Sequence, residues 1–217
     1  MPIERSIGNL VEGIGGSERA EVPTQRQIYE AAVRLMYELG YHGTSTRAIA
    51  REVGIESSSL YYHYPSKQDI LVDIMTRNMR QLIADVNDAV DGLPNATERL
   101  RAAIIAHVRF ECAGRMQSFV TDSEIRALEP NNRQAIINLR DQYEQIFQRI
   151  LEEGVATARF AIPDIRVTVL ALMAMCTGVS TWYQPDGRLG PEEIAKTYAD
   201  LIVDGVLRHE SSAGESQ

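Results

Sequence analysis

Ser57, Ser58, Ser59, Tyr61, Tyr62 and His63 crowd into one short stretch, and Lys67 follows four positions later. These hydroxyls, the imidazole and the ammonium are groups that donate hydrogen bonds to phosphate oxygens and base edges. No acid interrupts Ser57–Lys67. Ser59 and His63 are also the residue types of a hydrolytic nucleophile and its base. However, neither a nucleophile elbow nor a third orienting group accompanies them, so an enzyme is not expected. His107, Glu111 and Cys112 are metal-ligating types, but three ligands on one helix cannot all converge. A satisfied histidine–carboxylate pair is the expectation there, with no metal and no cofactor. Arg140 is charged yet shares a helical stripe with Ile136, Tyr143 and Phe147. Burial without a partner would be costly, so it calls for Asp122, Glu124 or an anionic ligand group, unless the side chain snorkels to solvent.

The elements that must position these groups are punctuated clearly. Ser45 or Thr46 can cap a short helix whose apolar side is Ile49, Ala50 and Val53. Gly54 supplies the positive φ that a tight interhelical turn needs. Ser57 can cap a second short helix with Leu60 and Tyr64 inward, leaving the serines, Tyr61, Tyr62 and His63 toward the outside. Pro65 stops that helix, Ser66 caps the next, and Lys67 sits in its first turn. A cation is disfavoured at a helix N-terminus by the macrodipole. A DNA phosphate there would convert Lys67 from a misfit into a binding group. The pattern is helix, turn, helix, with the second helix suited to a DNA groove.

Helical periodicity continues along the chain, and no period-2 strand stands out. A first helix, Thr24–Gly40, buries Ile28, Ala31, Ala32, Leu35, Met36 and Leu39. A long helix from Lys67 to Val90 runs from the reader into the rest of the chain as a lever. Others follow over Asn95–Gly114, about 116–128, from Glu129 onward, and in an uncharged stretch from Val167 to Pro185. That stretch is long enough for a membrane span, but Thr168, Thr177, Ser180, Thr181 and Gln184 make it a poor one. It reads as a helix buried on most sides. With the final helix (Ile194, Tyr198, Leu201, Ile202) it is expected to pair with its copies in a second subunit. A homodimer matters because one short recognition helix reads too few bases, whereas two read an inverted repeat.

Thr44–Leu71, ending L-Y-Y-H-Y-P-S-K-Q-D-I-L, resembles the DNA-binding signature of the TetR/AcrR family of transcriptional regulators, and the likeness covers about residues 22–82. Tyr64 departs from it, since phenylalanine is commoner there. The resemblance implies an all-α homodimeric repressor, with an N-terminal three-helix helix-turn-helix domain and a C-terminal ligand-binding and dimerisation domain, released from operator DNA by a small molecule. It implies phosphate contacts from Thr46, Tyr61, His63 and Lys67, and base-proximal positions for Arg47, Ser57, Ser58, Ser59 and Tyr62. Thr44 is counted with this DNA-binding set. F-V-T-D-S-E-I-R-A-L, L-E-E-G and T-W-Y-Q-P-D-G-R-L resemble a subgroup governing fatty-acid and steroid catabolism, often with acyl-CoA effectors. In that reading Phe110, Met116, Phe119, Tyr143, Phe147, Met173 and Thr177 could line an apolar cavity, with Arg140 facing a carboxylate or phosphate.

The net charge of -8 first argues against DNA. Its distribution answers this: residues 22–82 hold seven Lys/Arg against six Asp/Glu, while 83–217 hold thirteen against twenty. The acidic bulk belongs to the part that need not approach a duplex, and a weakly basic reader implies modest nonspecific affinity. Cys112 and Cys176 read as packed free thiols, consistent with a cytoplasmic protein. Met1–Val22 lacks the apolar core of a signal peptide. The expected organisation is a disordered tail over 1–21, the reader over 22–68, the effector domain over 69–209 and a second tail over 210–217. An alternative stays open, a helical ligand-binding protein whose DNA reader is vestigial.

Overall fold

The computed structural model describes residues 23–206. The expected tails, 1–21 and 210–217, lie outside the described residues. Helices α1 (Pro23–Gly43), α2 (Thr46–Val53) and α3 (Ser57–His63) precede the long α4 (Lys67–Val90). Then come α5 (Ala96–Ala113), α6 (Arg115–Ser123), a 3-10 turn (Ile125–Ala127) and α7 (Pro130–Ala156). The chain continues through α8 (Ile165–Thr177), α9 (Val179–Trp182) and α10 (Pro191–Asp200), which runs into a π-helical end, Leu201–Val206. The fold is all-α, as the periodicity predicts.

Local signals explain most boundaries. Ser45 caps α2 by accepting from the Ala48 amide at 3.1 Å, and Gly54 closes it at φ 76°. Ser66 caps α4 through the Asp69 amide, Asn95 caps α5 through Glu98, and Asp164 caps α8 through Val167. The residue before α3 is Glu56, which makes no side-chain cap. Ser57 is thus the first helical residue rather than the cap. In α1, Gly40 (φ 71°) breaks the helix one residue after Leu39. Leu39, expected in the inward stripe, is exposed, at the point where the Gly40 break redirects the chain and Tyr41 enters the core instead.

Two hydrophobic cores form. One joins α1–α3 to the first half of α4, with Ile28, Met36, Ile49, Leu60, Ile70, Leu71 and Ile74 fully enclosed. The other joins the rest of α4 to α5, α7, α8 and α10 around Leu100, Ile104, Phe147 and Leu172. The reader's core does not stop at residue 68. Val120, Leu128 and Ile136, from α6 to α7, are packed into it.

The α8 segment differs from expectation. Val169, Leu172 and Cys176 are buried, but Val167 (61 % exposed), Leu170, Ala171 and Ala174 face outward, and Trp182 and Leu201 elsewhere are exposed as well. A helix apolar on two sides has the composition of a fully enclosed one, so periodicity could not separate the cases.

Candidate functional site

The reader face is built on α2 and α3. Leu60 is the buried residue of α3. It points the helix inward and turns Ser58, Tyr61 and Tyr62 to solvent, with Ser57, Ser59 and His63 half-buried beside them. Tyr62 is 87 % exposed, edge-on to His63 with ring centroids 5.3 Å apart. The Thr46 and Tyr61 hydroxyls lie 3.1 Å apart, placing an α2 group and an α3 group together, and Arg47 is exposed on the same short α2. Tyr64 is buried, and its hydroxyl donates to Asp73 at 2.6 Å. Burial and that carboxylate push its pKa up, so it remains a neutral anchor between α3 and α4.

Two members of the expected DNA-binding set have other work. Thr44 is 1 % exposed and its hydroxyl donates to the Gly40 carbonyl at 2.9 Å. Lys67 Nζ donates to the carbonyls of Tyr41 and Thr44, each at 2.7 Å, and lies 4.1 Å from the Tyr41 ring centroid. The lysine that looked misplaced at the start of α4 caps the end of α1, where carbonyls favour a cation. Burial lowers its pKa, with Glu124 acting in opposition.

The same junction is held from the other domain. Glu124 accepts the Tyr41 amide at 3.1 Å. Gln68 donates to the Tyr41 hydroxyl and the Ala127 carbonyl, and accepts from the Glu129 amide. The α1–α2 corner is therefore clamped by the first turn of α4 and the chain following α6.

A cavity of about 170 Å³ opens between the helices of the second domain. Its walls are Asn78, Met79 and Leu82 from α4, Glu111 from α5, and Asp122 from α6. Arg140, Tyr143 and Glu144 from α7 and Met173, Ala174 and Thr177 from α8 complete it. Of the expected ligand set, Arg140, Tyr143, Met173 and Thr177 meet here. Phe147 lies behind Tyr143, 5.5 Å between ring centroids, as enclosed core. Phe119 packs edge-on against Tyr37 at 5.1 Å and lines a neighbouring groove that shares Asp122, Ala174 and Thr177 with the cavity. Phe110 is packed against the main core and Met116 is exposed, and neither lines the cavity.

Arg140 finds a partner inside the protein, donating to Asp122 Oδ1 at 3.1 Å and to the Thr121 carbonyl at 2.8 Å. Although 38 % of the Asp122 side chain is exposed, burial of its carboxyl and then the nearby Glu111 push its pKa up to about 6, against Arg140 and His107. The His107–Glu111 pair is not satisfied as expected. Nε2 and Oε1 are 3.5 Å apart, and both histidine nitrogens and Glu111 Oε2 are buried without a protein hydrogen bond. The sequence did carry one overlooked signal: Asn78, a buried polar residue inside the apolar stripe of α4.

Tyr62→Ala is expected to lower the preference for a selected operator over a scrambled duplex by roughly tenfold to a hundredfold, the value of about one good base contact. Competition binding at fixed salt measures it. An unchanged preference would remove Tyr62 from base reading.

Comparison with known proteins matches this architecture. Residues 28–74 match the family model for bacterial regulatory proteins of the tetR family, and residues 94–206 match that for a tetracyclin repressor-like C-terminal domain. The chain is 26 % identical to the fatty acid metabolism regulator protein of Bacillus subtilis, over 85 % of this chain and 96 % of that protein. It is 28 % identical to the HTH-type transcriptional repressor KstR2 of Mycobacterium tuberculosis, over 84 % of this chain and 92 % of the other. The solved structure of AibR with isovaleryl coenzyme A and operator DNA superposes with a TM-score of 0.76 at 26 % identity, covering 82 % of this chain and 97 % of AibR. The exposed hydroxyl-rich reader, its clamp to α4 and the matches over both domains lead to one conclusion: the chain belongs to the TetR family of DNA-binding transcriptional regulators and is not an enzyme.

Proposed function

We propose that the protein is a cytoplasmic homodimeric repressor that holds an inverted-repeat operator and releases it when an acyl-CoA thioester enters the α4–α8 cavity. The observation that carries this reading is the double use of α4. Lys67 and Gln68 fix the reader at one end, and Asn78, Met79 and Leu82 form a cavity wall farther along the same helix. A ligand that shifts this wall biases reader position by as much as its affinity differs between the two arrangements. Asp122 offers a second route, two residues before Glu124, which grips Tyr41.

The names of similar proteins favour the effector class, one being a fatty acid metabolism regulator and another having been solved with isovaleryl coenzyme A. The outward apolar face of α8, with Trp182 stacked on Tyr198, supports pairing of two copies better than a lone protomer or a membrane contact. An acyl thioester also suits a cavity whose charges are already mostly paired, because the ester group is neutral and the nucleotide can stay outside.

The test is titration of the protein–operator complex with a chain-length series of acyl-CoA thioesters, read by fluorescence anisotropy. Two chains per operator and release at micromolar thioester are expected. Binding of thioester by a protein that selects no operator would instead favour a vestigial reader. A complex that no member of the series dissociates would sink the effector class.

A further inference from the structure

The walls of the cavity are unequal. Arg140, Asp122 and Glu144 lie toward its exposed side, and two of its acids have cationic partners: Asp122 with Arg140, and Glu144 with Arg166 at 2.5 Å. Glu111 and Tyr143 lie at the enclosed side, 2 % and 3 % exposed. Glu111 and Tyr143 both line the cavity, and Glu111 Oε2 and the Tyr143 hydroxyl are buried without a protein hydrogen bond. His107 stands behind them, its ring edge-on to Tyr143 with centroids 5.3 Å apart. Buried polar atoms are nearly always paired, and two left unpaired on residues that line a cavity mark where a ligand's polar group belongs.

We propose that the deepest part of the effector carries a neutral hydrogen-bond donor, a hydroxyl above all, that donates to Glu111 and is met by the Tyr143 hydroxyl. The inference rests on the acyl-thioester reading of this cavity and specifies the acyl group. A plain methyl terminus would leave both polar atoms unpaired, whereas a hydroxyl supplies the hydrogen bonds they lack. A terminal carboxylate would face Glu111 and Asp122, with Arg140 already engaged. A hydroxyl avoids both penalties. Discrimination of this kind is steep, because a site built to bond a hydroxyl pays for its absence with unpaired buried groups.

The experiment is calorimetric titration of the full-length protein with butanoyl-, hexanoyl-, octanoyl- and decanoyl-CoA and with the ω-hydroxy and ω-carboxy counterpart of each. At the best-fitting length the hydroxylated thioester should bind about tenfold or more tightly than the plain one, and the carboxylated one more weakly than either. Tyr143→Phe and Glu111→Gln should each erase most of the hydroxyl advantage, read as the ratio of hydroxylated to plain thioester affinity in the same variant. A plain thioester that matches its hydroxylated counterpart at every length overturns the inference while leaving the acyl-thioester effector standing. Tightest binding of the ω-carboxy form overturns it as well. Failure of every thioester to bind removes the effector class itself, and the inference with it.

Discussion

Replacing Gly154 by valine is expected to lower the unfolding free energy by about 3 kcal/mol and Tm by roughly 6–12 °C. Gly154 is buried in helical α7, so its backbone would accept any residue. Space is what forbids it. A Cβ built there would lie 2.8 Å from Phe160 Cγ, and closer still to Cδ2 and Cε2. Phe160 cannot easily retreat, because the amides of Arg159 and Phe160 both donate to the Gly154 carbonyl, at 2.9 and 3.1 Å, folding the turn back over the helix. Its ring is also part of the second domain's core. Alanine normally improves a helix interior by about 1 kcal/mol over glycine. Here the overlap should outweigh that gain, so Gly154→Ala is also expected to melt below wild type by circular dichroism. Combining either change with Phe160→Ala should recover part of the loss, since the two sites are in contact. An alanine variant that melts at or above wild type would show that Phe160 moves aside freely. The L-E-E-G sequence thus has a packing reason for its glycine.

How far the molecule could be read from its sequence depended on how local each signal was. Ser45, Gly54, Pro65 and Ser66 each act within a few residues of themselves, so the helix-turn-helix and the start of α4 follow from the chain directly. The α8 segment shows the limit of composition: Val167 and Leu170 are as apolar as Val169 and Leu172, yet only the latter pair is buried. The cavity was legible only in part because its walls come from five helices far apart in sequence. Arg140 announced itself by standing on an apolar stripe, and its pairing with Asp122 was among the foreseen partners. Glu111 was read as half of a local pair with His107. What makes it notable, an oxygen left open beside Tyr143, arises only when α5 and α7 come together. Phe110, Phe119 and Phe147 are apolar in the same way as true lining residues, and nothing in a one-dimensional pattern distinguishes them.

Lys67→Met is the substitution that decides between two roles for one side chain, and we expect it to cost about 2–3 kcal/mol of stability, the worth of one or two charge-assisted hydrogen bonds. If Lys67 mainly held a phosphate, its loss would weaken every duplex and reduce the dependence of log K on log salt by roughly one. The geometry supports a different result. Two of its three N–H groups are spent on the Tyr41 and Thr44 carbonyls, and those two residues are themselves buried. Methionine fills the same space but removes both ammonium hydrogen bonds, leaving the Tyr41 carbonyl with only the Thr44 amide at 3.3 Å. The turn would loosen, and with it the placement of Thr46 against Tyr61. Operator affinity should therefore fall together with Tm, while the salt slope stays near that of wild type. Glu124→Gln offers an internal control. It keeps an oxygen for the Tyr41 amide and removes the carboxylate that favours the charged lysine, so a milder loss of the same kind is expected. A slope reduced by about one with an unchanged Tm would return Lys67 to the phosphate contacts and leave the α1 carbonyls to be satisfied by solvent.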